Sequence, residues 1–172
     1  MNIRKAKSSD VRNITNVHIE SWKSTYKGIF SEDFLDNIDF NKRYKLWERV
    51  LHSSSSKEIV YVAELNNEIV GFISGGPSRT DALDSDAEIY ALYLLEDYQR
   101  QGIGRKLLEN AFQEMREYGY ETAFVWVLKD NPAVNFYKKT GGEVIKEEVV
   151  EIEGEKYKEM ALEWKDISGK NH

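Results

Sequence analysis

Cysteine is absent from the chain, which excludes disulfides, thiolate metal sites and a cysteine nucleophile, and fits a reducing, cytoplasmic setting. Long apolar runs are missing too. No stretch approaches the roughly 18 apolar residues a membrane span requires, and the opening MNIRKAKSSD has no apolar signal core, so neither a membrane protein nor a secreted one is expected. Positive charge is in the minority, 24 Lys and Arg against 30 Asp and Glu, for a formal net charge of −6. A protein that grips a nucleic-acid backbone normally carries a basic face, so nucleic acid is not an expected partner, and the acidic balance mildly favours cationic ones. With three histidines far apart in sequence and no thiol, no metal site is expected. Repeats with a period of about 20 to 50 residues are absent, and the serine run Ser53 to Ser56 is the one low-complexity stretch.

What is present is an ordinary globular composition: 172 residues, 41% hydrophobic and 31% charged. That suffices for one domain, expected to span 1–172. NIRKA reads as a first strand, and Ser8, Ser9 and Asp10 give a helix-start signal, with hydroxyls to cap and a carboxylate for the first turn. Val11, Ile14, Val17, Trp22 and Tyr26 keep helical spacing up to Gly28. A second helix is expected from Ser31 as cap, interrupted near Asn37 and continuing through Tyr44, Trp47 and Leu51. EIVYVAE and EIVGFISGG are rich in β-branched and aromatic residues, and Asn66 and Asn67 between them suit a hairpin turn. AEIYALYLLE, 87–96, is a further strand; a helix runs from about Gly104 to Tyr118, and TAFVWVL, 122–128, is an apolar strand buried on both faces. Asn131 as cap, Pro132 at the first helical position and Gly141 as stop frame another helix, and the chain closes in a hairpin. The order predicts an α+β fold, a mixed sheet with a strand-helix-strand crossover at its centre.

The stretch QRQGIG, Gln99 to Gly104, joins a strand to a helix whose first N–H groups lack partners and whose dipole presents positive charge. Glycines at 102 and 104 let the backbone take positive φ and approach a ligand closely, and Arg100 and Arg105 are forked donors suited to phosphate. A phosphate-bearing ligand is therefore expected. The Walker pattern requires Lys and a hydroxyl after its last glycine, and Arg105 and Lys106 follow here. The dinucleotide pattern requires a third glycine where Leu107 stands. A nucleotide triphosphate is disfavoured, and a nicotinamide-linked reaction is a weaker alternative.

Gln99, Gly102 and Gly104, preceded by AEIYALYLLEDY and followed by NPAVNFYKKTGG, resemble the signature of the GCN5-related N-acetyltransferase (GNAT) superfamily: Gln or Arg, two residues, Gly, one residue, Gly or Ala. The resemblance is strong over 87–142 and loose elsewhere. Two departures touch packing and loop rigidity: Glu96 and Asp97 stand where the family often has Pro, and Gly142 where it often has Phe.

The resemblance implies a mixed, mostly antiparallel sheet of about six to seven strands flanked by about four helices. It implies an acetyl-CoA-dependent N-acetyltransferase acting on a primary amine of a small molecule or peptide, with a homodimer as a family-level expectation. A non-catalytic acyl-CoA-binding sensor or scaffold on the same fold is the alternative. By the same resemblance the pyrophosphate lies on Gln101, Gly102, Ile103 and Gly104, with Gln99, Arg100 and Arg105 nearby. Backbone N–H groups of Leu92, Tyr93 and Leu94 then serve the pantetheine arm and the acetyl oxygen. Glu88 is the candidate base, directly or through a water; alternation places it on one face with Tyr90, Leu92 and Leu94. Tyr137, matching the family's tyrosine, is the candidate acid and a cofactor contact, its reference pKa of about 10 lying near that of a thiol leaving group. Asn131 caps its helix, contacts the cofactor, or does both. On the acceptor side Trp22 and Tyr26, in one stripe with His18, are candidate contacts for a cationic amine, along with Glu88; core packing explains the same stripe.

Overall fold

Two consecutive asparagines in the left-handed region, Asn66 at φ 52° and Asn67 at 64°, turn the chain between the first paired strands, as their short polar side chains allow. The computed structural model describes residues 1–53 and 57–168, so Ser54 to Ser56 of the serine run lie outside the described residues. The elements in order are β1 (Asn2–Lys5), α1 (Val11–Thr25), α2 (Glu32–Asp36), α3 (Phe40–His52), β2 (Ile59–Leu65), β3 (Glu68–Pro77), β4 (Ala87–Leu94), α4 (Ile103–Glu117), β5 (Ala123–Leu128), α5 (Ala133–Lys139), β6 (Glu143–Ile152) and β7 (Glu155–Trp164). Hydrogen bonding orders the strands β1-β2-β3-β4-β5-β7-β6 in one sheet. The β4–β5 pair is parallel, joined through α4, whereas β1–β2, β2–β3, β5–β7 and β6–β7 are antiparallel. This is the mixed, mostly antiparallel α+β plan. β4 is eight residues long, and its register with β5 runs over Ala87, Glu88 and Ile89.

The chain divides into two compact units, Met1–Gly75 with Ala91–Ala111, and Gly76–Tyr90 with Phe112–His172. In the first, Val11, Ile14 and Val17 of α1 and Trp47 of α3 bury against Val62 and Phe72 of β2 and β3, with Ala91 and Tyr93 packed onto the same cluster. Each such side chain contributes about 1.5–3 kcal/mol when fully buried, so this core holds α1 helical more than its own propensity does. Arg4 ties the edge together, pairing with Asp10 at 2.8 Å and with Glu64 at 2.9 Å. Burial pushes the Asp10 carboxyl up, but the Arg4 hydrogen bond, the Lys7 amide and the neighbouring charges together hold it below the usual range.

In the second unit β5 is buried along most of its length, as a nearly continuous apolar strand should be. Phe112 of α4 and Tyr137 of α5 pack edge-on to Trp164 of β7, with ring centroids 5.2 and 5.7 Å apart. Gly142 sits where a Cβ would lie 2.8 Å from the Tyr137 carbonyl oxygen and 3.4 Å from Leu162 Cβ, and its own N–H donates to that oxygen at 2.9 Å. Backbone cannot yield as a flexible side chain does. Gly142→Ala is expected to cost about 1–3 kcal/mol, a fall of roughly 2–4 °C per kcal/mol for a chain of this size, read by thermal melting. An unchanged melting temperature would show that α5 and β7 separate freely.

Three boundaries differ from expectation. Ser8 and Ser9 do not cap α1: Ser8–Asp10 forms a separate 3-10 turn, in which Asp10 accepts the Lys7 N–H at 2.7 Å. α1 ends at Thr25, before Gly28: Tyr26 N–H makes its last bond, to the Trp22 carbonyl, and the positive φ at Gly28 belongs to the turn beyond. The second helix is two, because Asp39 opens α3 afresh by accepting the Lys42 N–H. Ser31 caps α2 as expected, through the Phe34 N–H.

Candidate functional site

The glycine loop opens α4, a helix of 15 residues. Arg100 at φ 63° and Gly102 at φ 82° both adopt the left-handed region, so the chain coils tightly before entering the helix. Gln99 to Gly102 and Arg105 are exposed, while Ile103 and Gly104 are buried. A Cβ built on Gly102 would meet nothing within 4 Å. The turn thus presents bare main chain at the positive end of a helix, with open space above it. Two glutamines hold it: Gln99 Nε2 donates to the Leu94 carbonyl at 3.2 Å and Gln101 Nε2 to the Asp97 carbonyl at 3.1 Å. The Gln99 side chain therefore fixes the loop to the end of β4, and its place in the motif has a structural cause.

In the same unit, Leu92, Tyr93 and Leu94 end β4 beside β3, where Gly71 leaves room for the Leu94 side chain. The Tyr93 ring turns inward, stacked on His18 with centroids 5.6 Å apart, and its hydroxyl lies 3.2 Å from that of Tyr26. Trp22 joins this group, 4.8 Å from Tyr26 and 6.0 Å from His18. His18 and Tyr26 are buried; Trp22 is half-buried. The stripe on α1 is thus largely core.

A residue outside the sequence expectations completes the group. The Arg43 guanidinium lies 4.5 Å above the Trp22 ring centre, with Nη1 2.9 Å from His18 Nε2. The Trp47 Nε1–H points at His18 Nδ1 from 3.1 Å. Both neighbours are donors only, and neutral imidazole offers a single lone pair. Burial first, and then the Arg43 charge, push the His18 pKa down to about 3. Burial also lowers Arg43, and the nearby Tyr93 and Tyr26 hydroxyls partly offset this.

The second unit holds Glu88, Asn131 and Tyr137. Glu88 is only 2% exposed, so this strand carboxylate does not face solvent. Its Oε1 accepts the Arg79 backbone N–H at 3.0 Å, and its Oε2 pairs with Arg79 Nη2 at 2.7 Å. The Arg79 side chain also covers the Tyr90 ring at 3.9 Å. Glu159 on β7 lies near enough to feel this carboxylate: burial, then Glu148 and Glu88, raise its pKa above the ordinary value. Arg79 and Glu159 carried no signal in sequence, since one stands in a loop and the other on an alternating, outwardly charged strand.

Tyr137 is 4% exposed. Register and alternation place it opposite Glu88: Glu88 neighbours Phe124 and, beyond it, Glu163 on one face, whereas Tyr137 packs on Trp164, whose partner Ala123 faces the other way. Asn131 is buried, and its Oδ1 accepts the Ala133 N–H at 2.8 Å from one residue before Pro132, which itself stands at the N-cap of α5 where the sequence suggested the first helical position. Among the described residues no group of three His, Cys, Asp or Glu could hold a metal ion, and no helix is long and apolar enough to cross a membrane.

A mixed sheet whose parallel pair is joined by a helix opening on a bare, exposed turn matches the fold plan expected from the sequence. A model described as the acetyltransferase (GNAT) family matches residues 17–142, and the chain belongs to that family. It is 36% identical to an uncharacterized N-acetyltransferase, YuaI, of Bacillus subtilis (strain 168), over 96% of this chain and 94% of that protein. It is 31% identical to a spermidine N(1)-acetyltransferase of Thermoplasma acidophilum, over 83% and 88%. Among solved structures it resembles the PaiA N-acetyltransferase of Thermoplasma acidophilum in complex with coenzyme A, with a TM-score of 0.77, 27% identity and coverage of 95% and 98%.

Proposed function

We propose that residues 1–172 form a single N-acetyltransferase domain that moves an acetyl group from acetyl-CoA to a primary amine of a small molecule or peptide. The observation that carries this is the exposed left-handed turn at Arg100 and Gly102, standing at the N-terminus of α4 directly after β4. Its main-chain N–H groups from Gln101 to Gly104, with the exposed Arg105 beside them, suit a diphosphate. A relative whose name gives spermidine as its acceptor, and a structural neighbour holding coenzyme A, support the amine and the donor.

Bound acetyl-CoA supplies an activated acetyl thioester. The backbone N–H groups around Leu92 to Leu94 serve the pantetheine arm and the acetyl oxygen that gains charge, as fixed dipoles do most effectively. Glu88 takes the amine's proton through a water. Its two oxygens offer about four lone-pair sites, and the two hydrogen bonds from Arg79 leave capacity for a further donor such as that water. Tyr137 returns a proton to the departing thiolate. Trp22 and Tyr26 border the acceptor in this scheme, and Asn131 contacts the cofactor while capping α5.

CoA at about a hundredfold excess over its Kd stabilises a protein by roughly 2.7 kcal/mol, a rise of about 5–10 °C in Tm for this length. CoA is expected to give that rise in a thermal-shift measurement, whereas NAD and ATP give none. Equal shifts with all three would leave the turn as an unselective phosphate contact.

A further inference from the structure

The nitrogen donors around Trp22 outnumber the acceptors. Arg43 carries five N–H donors on a planar cation, and the contacts it makes are one approach to His18, the π face of Trp22 and the field of the Tyr26 and Tyr93 hydroxyls. Among the described residues no carboxylate pairs with it. The Trp22 Nε1–H, in the ring that Arg43 covers, is buried and unpartnered among the described residues. His18 adds to the excess: its single lone pair is approached by both Arg43 and Trp47. A half-buried cation surrounded by donors lacks an anion, since desolvation strengthens any charge-assisted bond it can form and makes its absence costly.

The indole face is the place where a cationic amine would be held, and Arg43 occupies it at 4.5 Å. The Tyr93 ring, 6.4 Å from Trp22, belongs to the same strand end whose amides are assigned to the acetyl oxygen, so this cation lies one side chain from that backbone. The net charge of −6 does not decide the matter. Exposed charges are screened beyond about 8 Å at physiological ionic strength, whereas a desolvated guanidinium acts at contact.

We infer that Arg43, with Trp22, receives an ionised carboxylate of the acceptor, so that the preferred acceptors are amino-acid-like amines rather than polyamines. The inference rests on the acetyl-transfer proposal and narrows it. Free-CoA release is measured with pairs of acceptors differing only in the carboxylate, amino acids against their amides, alongside spermidine. Wild type, Arg43→Gln and Arg43→Lys are compared after melting curves establish that each is folded. At least one amino acid should exceed its own amide by about tenfold or more in kcat/KM. Arg43→Gln should abolish that preference through KM for the acceptor while leaving KM for acetyl-CoA unchanged, and Arg43→Lys, with charge but no fork, should keep part of it. Amides or spermidine used as well as the acids, or a preference that survives Arg43→Gln, overturns the inference and leaves acetyl transfer standing. If no amine releases CoA, the transfer proposal fails instead, and calorimetry with N-acetylated amino acids against their amides decides the carboxylate site: tighter acid binding lost in Arg43→Gln supports it, and equal binding overturns it.

Discussion

Tyr137→Phe is expected to lower kcat by about a hundredfold or more while the Kd for acetyl-CoA moves less than about threefold, since general acid catalysis contributes on the order of 10² to 10⁴. The substitution is unusually clean here. The tyrosine ring is buried against Trp164 and Phe136, and phenylalanine keeps both contacts, so packing and the α5 backbone are preserved. What is lost is the hydroxyl proton. A phenol, with a reference pKa of about 10, is matched to a thiolate leaving group, and no other side chain is assigned that role. Stopped-flow or steady-state release of free CoA, paired with calorimetric binding of acetyl-CoA, separates the alternatives. A kcat within twofold of wild type would make Tyr137 a packing residue, and the leaving thiolate would then be protonated by solvent.

Gly102→Val should remove the Tm rise that CoA gives the wild type. At φ 82° a β-branched side chain is strained by about 1–2 kcal/mol, and it rises into the open space above the turn, where the diphosphate is proposed to lie. Strain alone could weaken any protein, so the control is Gly154→Val. Gly154, in the β6–β7 turn at φ 78°, likewise has nothing within 4 Å of a built Cβ. Both variants should lose similar intrinsic stability, and only Gly102→Val should lose the response to CoA. A CoA shift retained in Gly102→Val would move the diphosphate away from this turn.

How much of this was legible in the sequence follows from the range of the forces involved. Asn66 and Asn67 in the hairpin, Ser31 as a cap, Asn131 beneath α5 and the positive φ at Gly141 are set by residues within four of one another, and residue type announced each. Asp39 is equally local, three residues before the amide it caps, but the apolar spacing runs across it and hides the break. Arg100 is different: its left-handed φ has no signal in residue type and comes with the glutamine bonds that tie the turn to β4 and Asp97. The strand order could not be read either, because β7 lies between β5 and β6 through pairings more than thirty residues apart, such as Ala123↔Trp164. The motif and its neighbours nominated Glu88 and Tyr137 as candidates, but not what surrounds them. Arg79 reaches Glu88 by loop folding, and Arg43 reaches Trp22 from another helix, both consequences of tertiary packing alone.

His18 bears on how a rate profile of this protein is to be interpreted. A histidine ordinarily titrates near pH 6.5, the first assignment for any inflection close to neutrality. Here the ring is enclosed by aromatic neighbours and a guanidinium and stays uncharged down to about pH 3. Its imidazole is a fixed acceptor throughout the range in which acetyl transfer would be assayed. A near-neutral break therefore belongs to a group other than His18.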